Sequence, residues 1–291
     1  MNDTPRVYLN GSFLPLEEAQ ISVMDRGFLF GDGVYEVIPC YAGRLFRLDH
    51  HLKRLDDSLD AIRMENPHSR EAWHGILNQL VSQRPGEDQA VYLQVTRGAA
   101  EKRDHLIPAQ PSPTVFAMSN PIPPVNPELA EKGISAITLE DTRWHRCNIK
   151  AITLLANVLL REEASDNDAN EAILIRDGQA IEGTASNLFI VSDGVIRTPP
   201  KGERLLPGIT RDLVLELAAA ESIPHREEEI EERALRDADE VWITSSTREI
   251  VPVVELNGQR VGNGQPGPMF KAMHRIYAGY KQQVRGGTAD N

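Results

Sequence analysis

Cysteine is almost absent from this 291-residue chain. Cys40 and Cys147 stand far apart, which excludes a disulfide framework and offers no metal-type spacing. Positive charge is also short: 31 Lys and Arg face 43 Asp and Glu, for a formal net charge of −12. Nucleic acids and anionic membranes both need basic surface, so neither is expected as a partner. A small anionic substrate stays compatible, because a local basic pocket can exist on an acidic protein. No apolar run approaches the roughly 20 residues that cross a bilayer, and residues 1–6 carry no apolar signal core. What the chain does have, 41% hydrophobic and 25% charged residues, is the composition of a soluble globular protein. The default expectation is a cytoplasmic protein of two ordinary domains, or one large one.

Turn and periodicity signals set the order of elements. Asn10-Gly11 lies between apolar residues, a strong hairpin signal; Val34–Ile38 and Arg44–Phe46 form a second hairpin around Ala42-Gly43. Leu48, Leu52, Leu55, Leu59 and Ile62 recur at helical spacing. Another helix is predicted over 70–83 with Ser69 as N-cap, then strands over 90–96 and 114–118. Four prolines in Pro121-Ile122-Pro123-Pro124-Val125-Asn126-Pro127 predict an extended linker. Beyond it come a strand at 134–139, a helix at 153–165, and hairpins at Asp177-Gly178 and Asp193-Gly194. A helix opening near Thr210, strands at 240–244 and 250–254, an Asn257-Gly258 hairpin and a helix at 267–284 follow, with 285–291 expected to be disordered. The hairpins predict an α+β protein, two mixed α/β domains with largely antiparallel sheets rather than a doubly wound fold. The expected division is a smaller N-terminal domain at 1–120, a linker at 121–127, and a larger C-terminal domain at 128–291 carrying Lys150.

Lys150 ends Arg143-Trp144-His145-Arg146-Cys147-Asn148-Ile149-Lys150, at a predicted strand end, and an apolar run to Leu160 follows. Desolvation beside such a run disfavours the ammonium form and favours a nucleophilic amine. Glu182 opens Glu182-Gly183-Thr184-Ala185-Ser186-Asn187, a carboxylate followed by small hydrogen-bonding residues. A lysine able to bond covalently to an aldehyde, with a carboxylate able to hold a pyridinium nitrogen, is the minimum equipment of a pyridoxal-phosphate enzyme. A lysine taken alone is more often a surface residue. Pro207-Gly208-Ile209-Thr210-Arg211-Asp212 brings backbone N–H groups and a threonine to a helix N-terminus, which suits a phosphate; read alone, it is a capped helix. Thr244-Ser245-Ser246-Thr247 is either a strand-to-loop turn or another wall of a phosphate cup. Arg54 falls on the polar side of the leucine helix, solvent-facing or a phosphate ligand. His50 and His51 are adjacent on that helix and point apart, so no metal site is expected from them.

Taken together, these segments resemble the fold-type IV pyridoxal-phosphate enzymes, and within them the D-amino-acid aminotransferases. The matching motifs are Asp25 to Glu36, Val95-Thr96-Arg97-Gly98, Arg143 to Lys150, Glu182 to Asn187, Gly208-Ile209-Thr210-Arg211 and Thr244 to Ile250, in the family's order along nearly the whole chain. The resemblance implies two α/β domains with the cofactor between them, and a homodimer completing each site. It implies that Lys150 bonds the cofactor and shuttles the proton, while Glu182 pairs with the pyridine nitrogen. It implies that Arg54, the Ile209 and Thr210 amides and Ser246 bind the phosphate. Arg103-Asp104-His105 resembles the pair of residues that the neighbouring subunit extends to the substrate carboxylate, and Tyr35 matches the tyrosine joining them. Thr184-Ala185 departs from the family pattern, where serines are more usual. The implied activity is transamination between a D-amino acid, such as D-alanine or D-glutamate, and a 2-oxo acid such as 2-oxoglutarate. Branched-chain L-aminotransferases, (R)-amine transaminases and aminodeoxychorismate lyases share the scaffold and remain alternatives.

Overall fold

A computed structural model describes residues 6–123 and 126–288. The chain forms two compact units. The first comprises residues up to Pro123 together with Ile149–Thr153 and the C-terminal residues from Gln283; the second holds Pro124–Asn148 and Leu154–Gln282. The Lys150 segment, expected in the C-terminal domain, thus clusters with the first unit.

In the first unit, β1 (Arg6–Leu9), β2 (Ser12–Pro15), α1 (Arg26–Phe30), β3 (Gly33–Tyr41), β4 (Arg44–Leu45), α2 (Leu48–Ala61), α3 (Arg70–Val81), β5 (Gln89–Thr96) and β6 (Thr114–Pro121) follow in order. The six strands pair antiparallel as β2-β1-β6-β5-β3-β4. The β1–β2 hairpin turns at Asn10 and Gly11, whose φ values of 47° and 93° are both left-handed, as a tight turn matched to sheet twist requires. Leu48, Leu52, Leu55 and Leu59 of α2 are buried on Val34, Ile38, Val91, Leu93 and Val95. Burying each such leucine contributes about 1.5–3 kcal/mol. Ser69 caps α3 by accepting from Ala72 N at 3.3 Å. The short α1 escaped the periodicity reading, since five residues are less than two turns. Its caps were visible in the sequence: Asp25 accepts from Gly27 N at 2.8 Å, and Gly31 closes the helix with φ 67°.

The second unit runs α4 (Pro127–Lys132), β7 (Ile134–Glu140), α5 (Leu155–Asp166), β8 (Glu171–Arg176), β9 (Gln179–Gly183), β10 (Asn187–Ser192), β11 (Val195–Thr198), α6 (Ile209–Ala220), β12 (His225–Glu227), β13 (Ile230–Glu231), α7 (Glu232–Arg236), β14 (Glu240–Ser245), β15 (Glu249–Leu256), β16 (Gln259–Arg260) and α8 (Pro268–Gly286). Its ten-stranded sheet is ordered β12-β11-β10-β14-β15-β7-β8-β9-β13, with β16 on β15. Only β15–β7, β7–β8 and β11–β12 are parallel. An additional pairing of β9 with β10, at Glu182 and Asn187, closes six of these strands into a ring. The buried carboxylate of Glu240 caps α8, accepting from Met269 N and Phe270 N at 2.8 and 2.7 Å. A carboxylate suits the positive end of a helix. The segment expected to be disordered from Arg285 instead continues α8, and Arg285 pairs with Asp88 in the first unit; residues 289–291 lie outside the described residues. No helix among the described residues is long and apolar enough to cross a membrane.

Candidate active site

Lys150 lies in an irregular segment, not at a strand end. Its carbonyl accepts from Tyr35 N at 3.0 Å and its own N–H donates to Ser58 Oγ at 3.2 Å, while Ala151 bridges Val34. The segment therefore borders β3, and Ile149 and Ala151 pack into the first unit's core. The Lys150 ammonium stands over the Tyr35 ring, 4.2 Å from its centroid, where the ring's negative face attracts a cation. Two of the sequence candidates are thus brought together.

Along β3, Val34, Glu36, Ile38 and Cys40 alternate inward and are fully buried. Glu36 accepts from Arg54 Nε and Nη2, both at 2.7 Å, and meets His51 Nδ1 at 2.8 Å. Arg54 is therefore buried, not on the polar side of α2; the carboxylate on the facing strand compensates for taking the guanidinium out of water. Burial alone would raise the Glu36 carboxyl, but Arg54 and His51 overcome it and hold the carboxyl well below its ordinary range. Burial lowers the His51 imidazole more than Glu36 raises it. Glu36 was given no role from the sequence, and His51 was considered only as a metal ligand and set aside. The signal was there in Glu36, a carboxylate in phase with the apolar residues of a strand.

In the second unit, buried Glu182 sits where β9 meets β10. Its Oε1 accepts from Arg143 Nη1 at 2.6 Å; its Oε2 accepts from Leu206 N at 3.1 Å and Asn187 Nδ2 at 3.2 Å. Asp141 grips the same arginine through two bonds of 2.9 Å and also holds Arg176 at 2.9 Å. Burial pushes the Glu182 carboxyl up to about 7, against the opposing pull of Arg143. For Asp141 the balance reverses: burial raises it, and Arg143 with Arg176 brings it below its ordinary value. Sequence reasoning assigned no role to Asp141, Arg143 or Arg176, although Arg143 opens the motif that ends in Lys150.

Gly208 is the N-cap of α6 and offers no side chain to its first turn, where Ile209 and Thr210 are buried. An added Cβ at Gly208 would overlap Asn187 Oδ1, so only glycine lets the helix begin there. Fully buried Arg211 anchors this turn, donating to Pro199 O at 2.7 Å and to Glu227 at 2.5 Å. Thr244 pairs with Asn187 across β14 and β10, and its buried Oγ1 has no hydrogen-bond partner among the described residues. Ser246 is half-buried in the turn between β14 and β15. The Thr184 departure is explained by Glu171, which accepts from Thr184 Oγ1 at 2.5 Å, Ser186 Oγ at 3.1 Å and Arg248 Nη1 at 3.2 Å. The threonine hydroxyl braces the turn from within.

Arg103 and His105 are exposed in the loop joining β5 to β6. The Arg103 guanidinium lies 5.0 Å from the Phe30 ring centroid, and the His105 ring lies 5.2 Å from the same ring. Lys102 pairs instead with Asp104 at 3.1 Å.

The family model for amino-transferase class IV matches residues 33–256. The chain belongs to this family. It is 42% identical over 266 residues to a D-alanine aminotransferase of Bacillus licheniformis, covering 91% of this chain and 93% of that one. Among solved structures it is similar to the branched-chain amino acid aminotransferase of Escherichia coli, with TM-score 0.90, 28% identity, and coverage of 99% and 97%. The branched-chain aminotransferase of the thermophilic archaeon Thermoproteus uzoniensis, solved with norvaline, aligns with TM-score 0.84 and 25% identity over 98% of this chain and 96% of that chain. As a class IV aminotransferase, the chain has a donor set that fits pyridoxal phosphate. Glu182 is a buried acid with raised proton affinity, suited to a pyridine nitrogen. The uncapped α6 start and the unpartnered Thr244 hydroxyl suit a phosphate.

Proposed function

We propose that this pyridoxal-phosphate-dependent aminotransferase moves the amino group of a D-amino acid, such as D-alanine or D-glutamate, to a 2-oxo acid such as 2-oxoglutarate. The observation that carries the reading is the match to a D-alanine aminotransferase at 42% identity over nearly the full chain, against 28% for the branched-chain enzyme of similar fold. The cofactor, when bound, supplies the electron sink that makes the substrate Cα–H acidic. Lys150 Nζ would hold the cofactor covalently and would take the proton from the substrate Cα. Glu182 holds the ring nitrogen, and Arg143 and Asn187 keep that carboxyl oriented. The phosphate is taken by Arg54, the Ile209 and Thr210 N–H groups and Ser246. Glu36 fixes the plane of the Arg54 guanidinium, so the arginine binds without reorganising. Tyr35, joined by Arg103 and His105 extended from the neighbouring subunit, would hold the substrate carboxylate on one side of the Cα. Only one enantiomer then presents its Cα–H to Lys150.

A visible-absorbance scan of the holoenzyme tests this. D-alanine should bleach the band of the lysine-bound cofactor while L-leucine leaves it unchanged. Bleaching by L-leucine alone would move the enzyme to the branched-chain group, a reading favoured by the high structural likeness. A band that neither amino acid alters would point to an (R)-amine transaminase or a lyase.

We also infer a cytoplasmic homodimer. The support is exposed apolar surface: Phe28, Leu106 and Ile107 in the first unit, and Leu155, Val158 and Leu159 at helical spacing on α5 in the second. Light scattering should give twice the 32.4 kDa chain mass, and a monomer at micromolar concentration would refute it. Fractionation of the cells that make it should recover the protein with the cytosol.

A further inference from the structure

Arg26 is a buried cation that the roles above leave unused, 4% exposed at the start of α1. Its two terminal nitrogens are committed to backbone. Nη1 donates to Asp104 O at 2.6 Å and to Leu106 O at 3.3 Å, and Nη2 donates to His105 O at 3.4 Å. Nε is held by Asp32 at 2.7 Å, and Asp32 is itself gripped by Arg97 Nε and Nη2 at 2.8 and 3.0 Å. Three consecutive carbonyls, around the residue that follows Arg103 by two positions, thus converge on one fixed fork.

The preceding residue secures the other end of the same loop. Asp25 accepts from Thr96 Oγ1 at 2.8 Å and Thr114 Oγ1 at 2.6 Å, the last residue of β5 and the first of β6. Arg26 N donates to Gly98 O at 2.9 Å, and Ala100 N to Met24 O at 3.2 Å. At Gly98, with φ +85°, an added Cβ would strike the Ser112 backbone, so the two strands of the loop close tightly there. Asp25 ties the loop's base and Arg26 its tip. The Phe30 ring, one helical turn on, carries both the Arg26 and the Arg103 guanidinium at 5.0 Å from its centroid.

We infer that Arg26 is a positioning residue for substrate-carboxylate recognition: by binding the carbonyls of residues 104–106, it holds Arg103 and His105 in the geometry that takes the carboxylate. The inference rests on the role given to those two residues above. Lysine cannot replace Arg26, because a single ammonium has three rotatable donors and no fixed fork.

The test is Arg26→Lys, with Phe30→Leu as a second variant that alters the platform under both guanidinium groups but leaves the fork's hydrogen-bond acceptors in place, and Arg103→Ala as the reference. Arg26→Lys should raise KM for D-alanine roughly 10-fold or more with kcat within about 3-fold, since small misplacements of positioning groups carry penalties of this order. Phe30→Leu should move KM in the same direction. Amide hydrogen exchange over 101–107 should rise in the Arg26→Lys protein without cofactor or substrate present. In an Arg103→Ala background, Arg26→Lys should add little, because both act through one contact. Equal losses in kcat and kcat/KM, unchanged exchange over 101–107, or full additivity with Arg103→Ala would each overturn the assignment. If Arg103→Ala alone leaves KM unmoved, the carboxylate role of the loop fails instead. A normal KM in Arg26→Lys beside a damaged Arg103→Ala would sink the Arg26 role by itself.

Discussion

Replacing Lys150 with alanine removes transamination while leaving the fold intact. The expected loss in kcat is at least about 10⁴-fold, because covalent attachment and proton transfer both depend on Nζ, and proton transfer alone contributes about 10²–10⁴. The expectation of an intact fold comes from how the segment is held. Tyr35 N and Ser58 Oγ bond the Lys150 backbone, and Ile149 and Ala151 fill core positions. None of these contacts uses the lysine side chain. Truncation loses its attraction to the Tyr35 ring, about 0.5–1 kcal/mol at an accessible site, so Tm should move by only a few degrees. Turnover measured beside a thermal melt separates the two effects. A Lys150→Ala protein keeping more than about 1% of parental kcat, with no amine added, would refute the role.

Arg54→Ala should be the most destabilising polar substitution in the first unit. It strands the Glu36 carboxylate, which is fully buried, with only His51 as a polar side-chain partner among the described residues. Breaking a buried ion pair from one side costs about 3–5 kcal/mol, which corresponds to a fall in Tm of roughly 10 °C. The pH dependence has a definite sign. The Glu36 carboxyl is lowered in the fold, so its contribution is present above the ordinary glutamate value and fades as pH falls below it. The gap between parent and Arg54→Ala should therefore narrow as the melt is taken from pH 7 toward pH 3. The paired replacement Glu36→Met with Arg54→Met should recover much of the stability, because buried pairs are often matched by apolar residues of similar volume. Arg54→Ala melting within 2–3 °C of the parent at pH 7 would show that the pair is not held as described, since the cost expected for a broken buried pair is several times larger.

Much of the first unit was legible in the chain, and the reasons are local. The leucines of α2 repeat at helical spacing, and Asn10-Gly11 needs only its own backbone to turn. The burial of Arg54 was not legible because its partner lies 18 positions earlier on a strand. Helical spacing shows which residues share a face with the leucines, but not that a glutamate waits opposite them. The same holds for Lys150: its motif is local, whereas its place beside β3 rests on pairing with Tyr35 and Val34. Glu182 was recognisable from its small neighbours. The Asp141–Arg143–Arg176 cluster around it was not, because it is assembled from the loop after β7 and the end of β8. Arg26 shows the limit most clearly, since its acceptors in the loop after β5 are backbone carbonyls, which no side-chain pattern can reveal.

The pairing of Glu182 with Asn187 closes a ring whose parallel contact between β7 and β15 joins residues 134–136 to 253–256. On the ribosome, that contact waits until β15 has left the exit tunnel, so the glutamate's surroundings are unfinished for most of synthesis. The first unit waits too, for Ile149–Thr153 and then for the end of α8. Pairings so distant along the chain make folding slow. The surroundings of Glu182 are thus complete only after β15 has paired with β7.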